Sequence, residues 1–251
     1  MHHGTPPPRR DAPSPRHDPT RSGQRARHGG SGDTMIPRGI RALLAAVALF
    51  APWAVPAATI TATVADDQGR PLADAVVTIS PEPGTGTPSP DGEASTPISV
   101  TIDQKSEIFV PAVVALRAGG SAMFRDSDNI RHHVYSFSPV RRFEMVQTPG
   151  ETSAPIVFPQ PGVVAIGCNI HDHMSAYIFV TAAPWSKVTG ANGQAVLTGL
   201  PAGRFVATVW HPRLRPRAEP PVQNLSLATE NSSISVTLPV LPPRRPRARD
   251  Y

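Results

Sequence analysis

The sequence predicts an all-β chain, and three observations carry that expectation. From Ala58 onward no apolar period near 3.6 residues is sustained. In its place come short β-branched or alternating runs of strand length. Turn-forming pairs punctuate them at Gln68-Gly69, Gly119-Gly120, Pro161-Gly162, Asn192-Gly193 and Pro201-Ala202-Gly203. In chain order the clearest strands are Thr59 to Val64, Ala75 to Ile79, Val113 to Leu116 and Val134 to Phe137. Val163 to Ile166, Tyr177 to Val180, Phe205 to Trp210 and Ser233 to Leu238 follow. Between the second and third runs, Pro81 to Pro97 is rich in Pro, Gly, Ser and Thr and is expected to be a linker. Pro239 to Tyr251, with four Arg among four Pro, reads as a frayed basic tail over 241–251.

A length of 251 residues suits one large domain or two small ones. The single cysteine excludes a disulfide framework and any Cys-rich zinc or iron–sulfur site. A net charge of +5 invites a nucleic-acid role, but its placement argues against one. Residues 1–57 hold eight Arg and three Asp, and the remainder carries 16 basic and 16 acidic side chains. The basic character therefore lies outside the expected folded part, and no nucleic-acid partner is expected.

Residues 1–34 are mostly Pro, Arg, His and Gly and cannot bury enough apolar surface to offset chain entropy. Met35 opens a different pattern: Arg38 and Arg41, then the apolar run Ala42 to Phe50, then the small-residue stretch Val55-Pro56-Ala57. This is the make-up of a secretory signal peptide over 35–57, too short for a membrane anchor. Export to the periplasm is expected, with no membrane span in the mature chain. Because a signal does not ordinarily follow 34 polar residues, translation is expected to begin at Met35, with 1–34 a mis-assigned start.

The chemistry concentrates around the one cysteine, in Gly167-Cys168-Asn169-Ile170-His171-Asp172-His173-Met174. Cys168, His171 and Met174 lie on one loop between two expected strands, spaced C-x2-H-x2-M. Thiolate, imidazole and thioether form a soft ligand set. Two His and one Cys in a trigonal array with a weak axial Met make the electron-transfer copper site. The loop supplies one such His; upstream, Arg131-His132-His133-Val134 opens another strand that could bring a second. A lone Cys is usually a small buried hydrophobe, and Met174 alone would be a core filler. A cysteine nucleophile paired with His is chemically sensible. A hydrolytic site, however, has no use for a thioether three residues beyond its His, and no third orienting group is visible.

At these residues the chain resembles the cupredoxins. Pro161-Gly162, five residues, and then Cys168-x-x-His171-x-x-Met174 is similar to the C-terminal copper loop of plastocyanin and amicyanin, with the short amicyanin spacing. Phe109-Val110-Pro111, Leu116, Ala118-Gly119, Phe124 and the Asp126-Ser127-Asp128 turn resemble the strands leading to the first copper histidine. The similarity spans residues 99–183, and the whole resembles bacterial plastocyanin-like proteins often labelled methylamine utilization proteins. It implies His132, Cys168, His171 and Met174 as copper ligands, with His133 where the family usually has Asn. Strand alternation points mildly the other way, grouping His133, Tyr135 and Phe137 on the more apolar face. The resemblance also implies His171 as the electron port; His173 is expected to face solvent.

Two further segments, Val64 to Ile79 and Gly190 to Trp210, resemble the opening and closing parts of carboxypeptidase regulatory-like, transthyretin-like β-sandwiches. The expected architecture is thus a cupredoxin Greek-key β-sandwich over 99–183, inserted in or packed beside a discontinuous β-sandwich of 58–80 and 185–240. The expected function is that of a periplasmic type 1 (blue) copper protein, a monomer and not an enzyme, carrying single electrons between donor and acceptor redox proteins. A copper carrier or chaperone and a structural β-sandwich binding module are the alternatives.

Overall fold

The computed structural model describes residues 57–87, 96–228 and 230–243. The expected signal peptide (apart from Ala57), the segment before it and nearly all of the basic tail lie outside the described residues. All regular structure among the described residues is β-strand, as the sequence patterning requires. The strands are β1 (Ala58–Asp66), β2 (Val76–Pro81), β3 (Ser99–Lys105), β4 (Ile108–Val110), β5 (Val113–Arg117), β6 (Ser121–Asp126), β7 (His132–Ser136) and β8 (Phe143–Gln147). They continue with β9 (Ile156–Val157), β10 (Gly162–Cys168), β11 (Ser175–Thr181), β12 (Trp185–Val188), β13 (Gln194–Leu200), β14 (Gly203–Trp210), β15 (Val222–Leu227) and β16 (Ser232–Leu238).

Four sheets form, ordered β13-β1-β16 (sheet I), β12-β2-β14-β15 (sheet II), β5-β11-β10-β7-β8 (sheet III) and β4-β3-β6-β9 (sheet IV). Period-2 alternation explains how they stack. On β2, Val77 and Ile79 enter a core shared with Ile60, Leu197 and Phe205, so sheets I and II face each other. Within it Trp185 stands edge-on to Phe205 at 5.7 Å between ring centroids. On β11, Ala176, Ile178 and Val180 enter a second core with Ile102, Phe124 and Phe158, which joins sheets III and IV. The remaining faces of sheets II and III meet through Val76, Val113 and Ala115. Trp210 of β14 covers that seam, 5.2 Å from the Phe179 ring and 6.0 Å from that of Tyr177. Both faces of β11 are therefore buried or half-buried, which is why its sequence, SAYIFVT, shows little polar alternation.

Two details differ from the sequence reading. The expected linker is ordered at its start: β2 runs to Pro81, and Glu82 forms an ion pair with Arg204 at 2.6 Å. On β7 the buried residues are His132, Val134 and Ser136, whereas Phe137 lies beyond the strand and is exposed. The more apolar residues of that segment thus face outward, and alternation points to the wrong face because a buried polar layer lies beneath β7.

Phe205 is fully buried between sheets I and II. Phe205→Ala is expected to cost about 3–5 kcal/mol in urea unfolding, since cross-strand neighbours cannot close the space left by an aromatic ring.

Candidate metal centre

The site forms where β7 and β10 pair antiparallel, with Gly167 opposite Tyr135 and Cys168 opposite Val134. That register sets Cys168 and His132 on one face of sheet III, toward the core shared with sheet IV. Beyond Cys168 the chain turns: Asn169 N–H donates to the His133 carbonyl at 2.9 Å, and Met174 N–H to the His171 carbonyl at 3.0 Å. The turn folds His171 back over the sulfur. Cys168 Sγ lies 3.7 Å from His132 Nδ1 and 3.8 Å from His171 Nδ1, and all three atoms are within 4.8 Å of one another. Met174 is buried in the same core as Cys168. His132 and Cys168 are buried, and the His171 side chain is about one-fifth exposed at 19%.

His133 points elsewhere and pairs with Glu144 of β8 at 2.7 Å. His173, half exposed, lies 3.8 Å from Glu107, and its ring is 5.9 Å from that of His171.

Sequence reasoning missed the groups behind the histidines. His132 Nε2 donates to Asp128 Oδ2 at 2.9 Å. Asp128 also accepts the backbone N–H groups of Ser106 and Glu107. Below lies a buried polar layer: Gln104 Nε2 donates to Gln147 Oε1 at 2.8 Å, and Gln147 Nε2 to the Phe124 carbonyl at 2.8 Å. Asp126, also buried there, accepts the Asp128 N–H at 3.0 Å. The polar turn Asp126-Ser127-Asp128-Asn129 was the available signal: Asp128 stands four residues before His132.

These contacts set the charges. Burial alone would raise the Cys168 thiol. Backbone hydrogen bonds from His133 and Ile170 and the imidazoles of His132 and His171 outweigh it and bring the pKa to about 6. Burial depresses His132, but Cys168, Asp128 and Asp126 more than compensate and raise it above the ordinary histidine value. Burial likewise pushes Asp128 up, and the hydrogen bonds from Glu107, His132 and Ser106 bring it below the usual carboxylate range. Asp126, where burial dominates, is raised.

The donor set fits a metal ion. With Nε2 donating to Asp128, a neutral His132 turns the lone pair of Nδ1 toward Cys168. Sulfur–nitrogen separations of 3.7 and 3.8 Å are long for hydrogen bonds. They equal the spacing of ligands sharing one ion at about 2.3 Å from sulfur and about 2.0 Å from nitrogen at near-trigonal angles. One thiolate and two imidazoles, with a thioether on the same loop, suit copper chemically.

No family model matches the chain, and no curated protein matches it. Parts of solved structures are similar. A purple cupredoxin from Nitrosopumilus maritimus is 16% identical over 33% of this chain and 99% of that chain, with a TM-score of 0.30. Amicyanin from Paracoccus versutus is 16% identical over 42% of this chain and 97% of that chain, with a TM-score of 0.29. A copper-containing nitrite reductase from Thermus scotoductus is 23% identical over 38% of this chain and 25% of that chain, with a TM-score of 0.30.

The lowered thiol has a thermodynamic consequence. Between pH 6 and the ordinary thiol value the folded state binds fewer protons at Cys168 than the unfolded chain does, so the thiol's own contribution to metal-free stability rises with pH across that window and is lost as pH falls through 6. His132, raised by the same contacts, contributes stability that is lost as pH rises through its folded pKa. Thiolate absorbance of the metal-free protein should titrate with a midpoint near 6. A midpoint at the ordinary thiol value of about 8.5 would overturn the assignment.

Proposed function

We propose that this chain is an exported copper protein that carries single electrons between redox partners and is not itself an enzyme. The observation that carries the reading is the convergence of Cys168 Sγ, His132 Nδ1 and His171 Nδ1 on one point inside a rigid sandwich. Cys168, His132 and His171 would hold the ion, with Met174 as the thioether ligand that the cupredoxin resemblance implies. A bound copper ion supplies the Cu(I)/Cu(II) couple.

The chain's own groups supply the rest. The β7/β10 pairing and the short 169–174 turn keep the ligands in place across a change of charge, so little of the site moves with each electron. The core beneath Cys168 and Met174 excludes water. His171, the more exposed imidazole, is the route to a partner. Contacts made for such transfers are small. A leader over 35–57 would take the chain to the periplasm, where donor and acceptor are redox proteins. Among the described residues no helix is long and apolar enough to cross a membrane.

Adding Cu(II) to the purified chain should give one equivalent of bound copper and an intense visible charge-transfer band, with reversible one-electron voltammetry. Cys168→Ser should abolish the band. Uptake should weaken in acid, because binding needs the thiolate and neutral imidazoles. A colourless protein that takes only Cu(I) would favour a copper carrier; one that takes no copper would leave a structural sandwich.

A further inference from the structure

We infer that the two-residue turn Ser106-Glu107, clasped by Asp128, fixes His132 through that carboxylate, sets a second carboxylate beside His171, and so sets the balance between the two charge states of an ion held there. This rests on the copper reading above. The turn joins β3 to β4, and both of its residues have left-handed backbone angles, φ +56° each. Side chains bearing a Cβ avoid that region unless their surroundings fix them there. Here the fixing group is one carboxylate. Asp128 Oδ2 takes the Glu107 N–H at 3.0 Å while Oδ1 takes the Ser106 N–H, so two successive backbone donors close on a single anion. The same Oδ2 receives His132 Nε2 at 2.9 Å. A carboxylate behind a ligand histidine fixes its tautomer and ring orientation and raises its basicity.

The turn also reaches the second imidazole. It projects Glu107 to 3.9 Å from His171 Nε2 and 3.8 Å from His173 Nε2. One short segment therefore stands behind His132 through Asp128 and beside His171 through Glu107. The two carboxylates differ in setting: the Asp128 side chain is 11% exposed and that of Glu107 33%. Negative charge on the far side of each imidazole favours the more highly charged ion, and the less exposed carboxylate does so with less screening.

Three variants of the full chain test this: Asp128→Asn, Glu107→Gln and Glu144→Gln. The last removes the carboxylate paired with His133, outside the cluster. The readouts are the midpoint potential of the copper-loaded protein and the imidazole nitrogen shifts of the metal-free protein. Asp128→Asn should favour Cu(I) over Cu(II) about tenfold relative to wild type, a rise of about 59 mV for one electron. At alkaline pH, where the ring is neutral, its metal-free His132 should pass from the Nε2–H tautomer to a mixture. Glu107→Gln should shift the potential in the same direction by less, with the shift fading near 1 M salt, where the screening length is about 3 Å. Glu144→Gln should leave both readouts unchanged. An unshifted potential in a blue Asp128→Asn protein would overturn the inference, as would a shift equal to that of Glu144→Gln. If wild type takes no copper, the copper reading falls and the tautomer of metal-free His132 still decides the positioning role. If Asp128→Asn does not fold, the wild-type tautomer and Glu107→Gln decide it: an Nδ1–H tautomer of the neutral His132 ring at alkaline pH, or no shift in Glu107→Gln, overturns it.

Discussion

The site depends on one register. With Cys168 opposite Val134, the sulfur and His132 share a face of sheet III and sit one pleat apart. A slip of one residue in that pairing would send the sulfur to the opposite face, because side chains alternate with period two. The register is held from both sides. On β10 the pairing with β11 runs unbroken from Gly162 to Gly167, and on β7 all five residues pair with β8. His132 and Cys168 are therefore brought together by backbone geometry that other residues enforce, and the 169–174 turn has only to fold His171 across a short gap.

Much of this was legible in the sequence because it is written locally. Turn residues and β-branched runs mark the longer apolar strands such as β1, β10, β11 and β14, and the spacing of Cys168, His171 and Met174 on one loop announces soft-metal chemistry. The more polar strands were not legible. β3 (SVTIDQK) and β8 (FEMVQ) carry charged or amide side chains that alternation arguments treat as loop or surface. Their polar residues have a place: Gln104 and Gln147 bond to each other in a buried layer under β7. That layer is assembled from residues 43 positions apart, a distance over which single-sequence patterning has no reach. The same cause inverted the apparent apolar face of β7. The role of Asp128 was hidden for another reason, since an Asp in a polar turn ordinarily serves the turn alone.

The four sheets share their burdens unequally. Sheet III packs on one side against the site's own core and on the other against a second sandwich, with Trp210 set across the seam. β5 and β11, toward one edge of that sheet, lie under the second sandwich, while β7 and β8, toward the other, carry the polar and charged residues. The ligands thus come from the border between a doubly covered, stiff region and an edge that faces water, which lets His132 and Cys168 be dry while His171 stays reachable.

Gly167, immediately before Cys168, carries a constraint of its own. A Cβ placed there would lie 2.8 Å from the ring of Tyr135, the residue directly opposite it across the strands. The tyrosine occupies the space that any side chain at 167 would need. The dependence runs one way: a side chain at 167 requires the Tyr135 ring to swing aside or to be replaced by a smaller group, whereas a smaller residue at 135 leaves the glycine undisturbed.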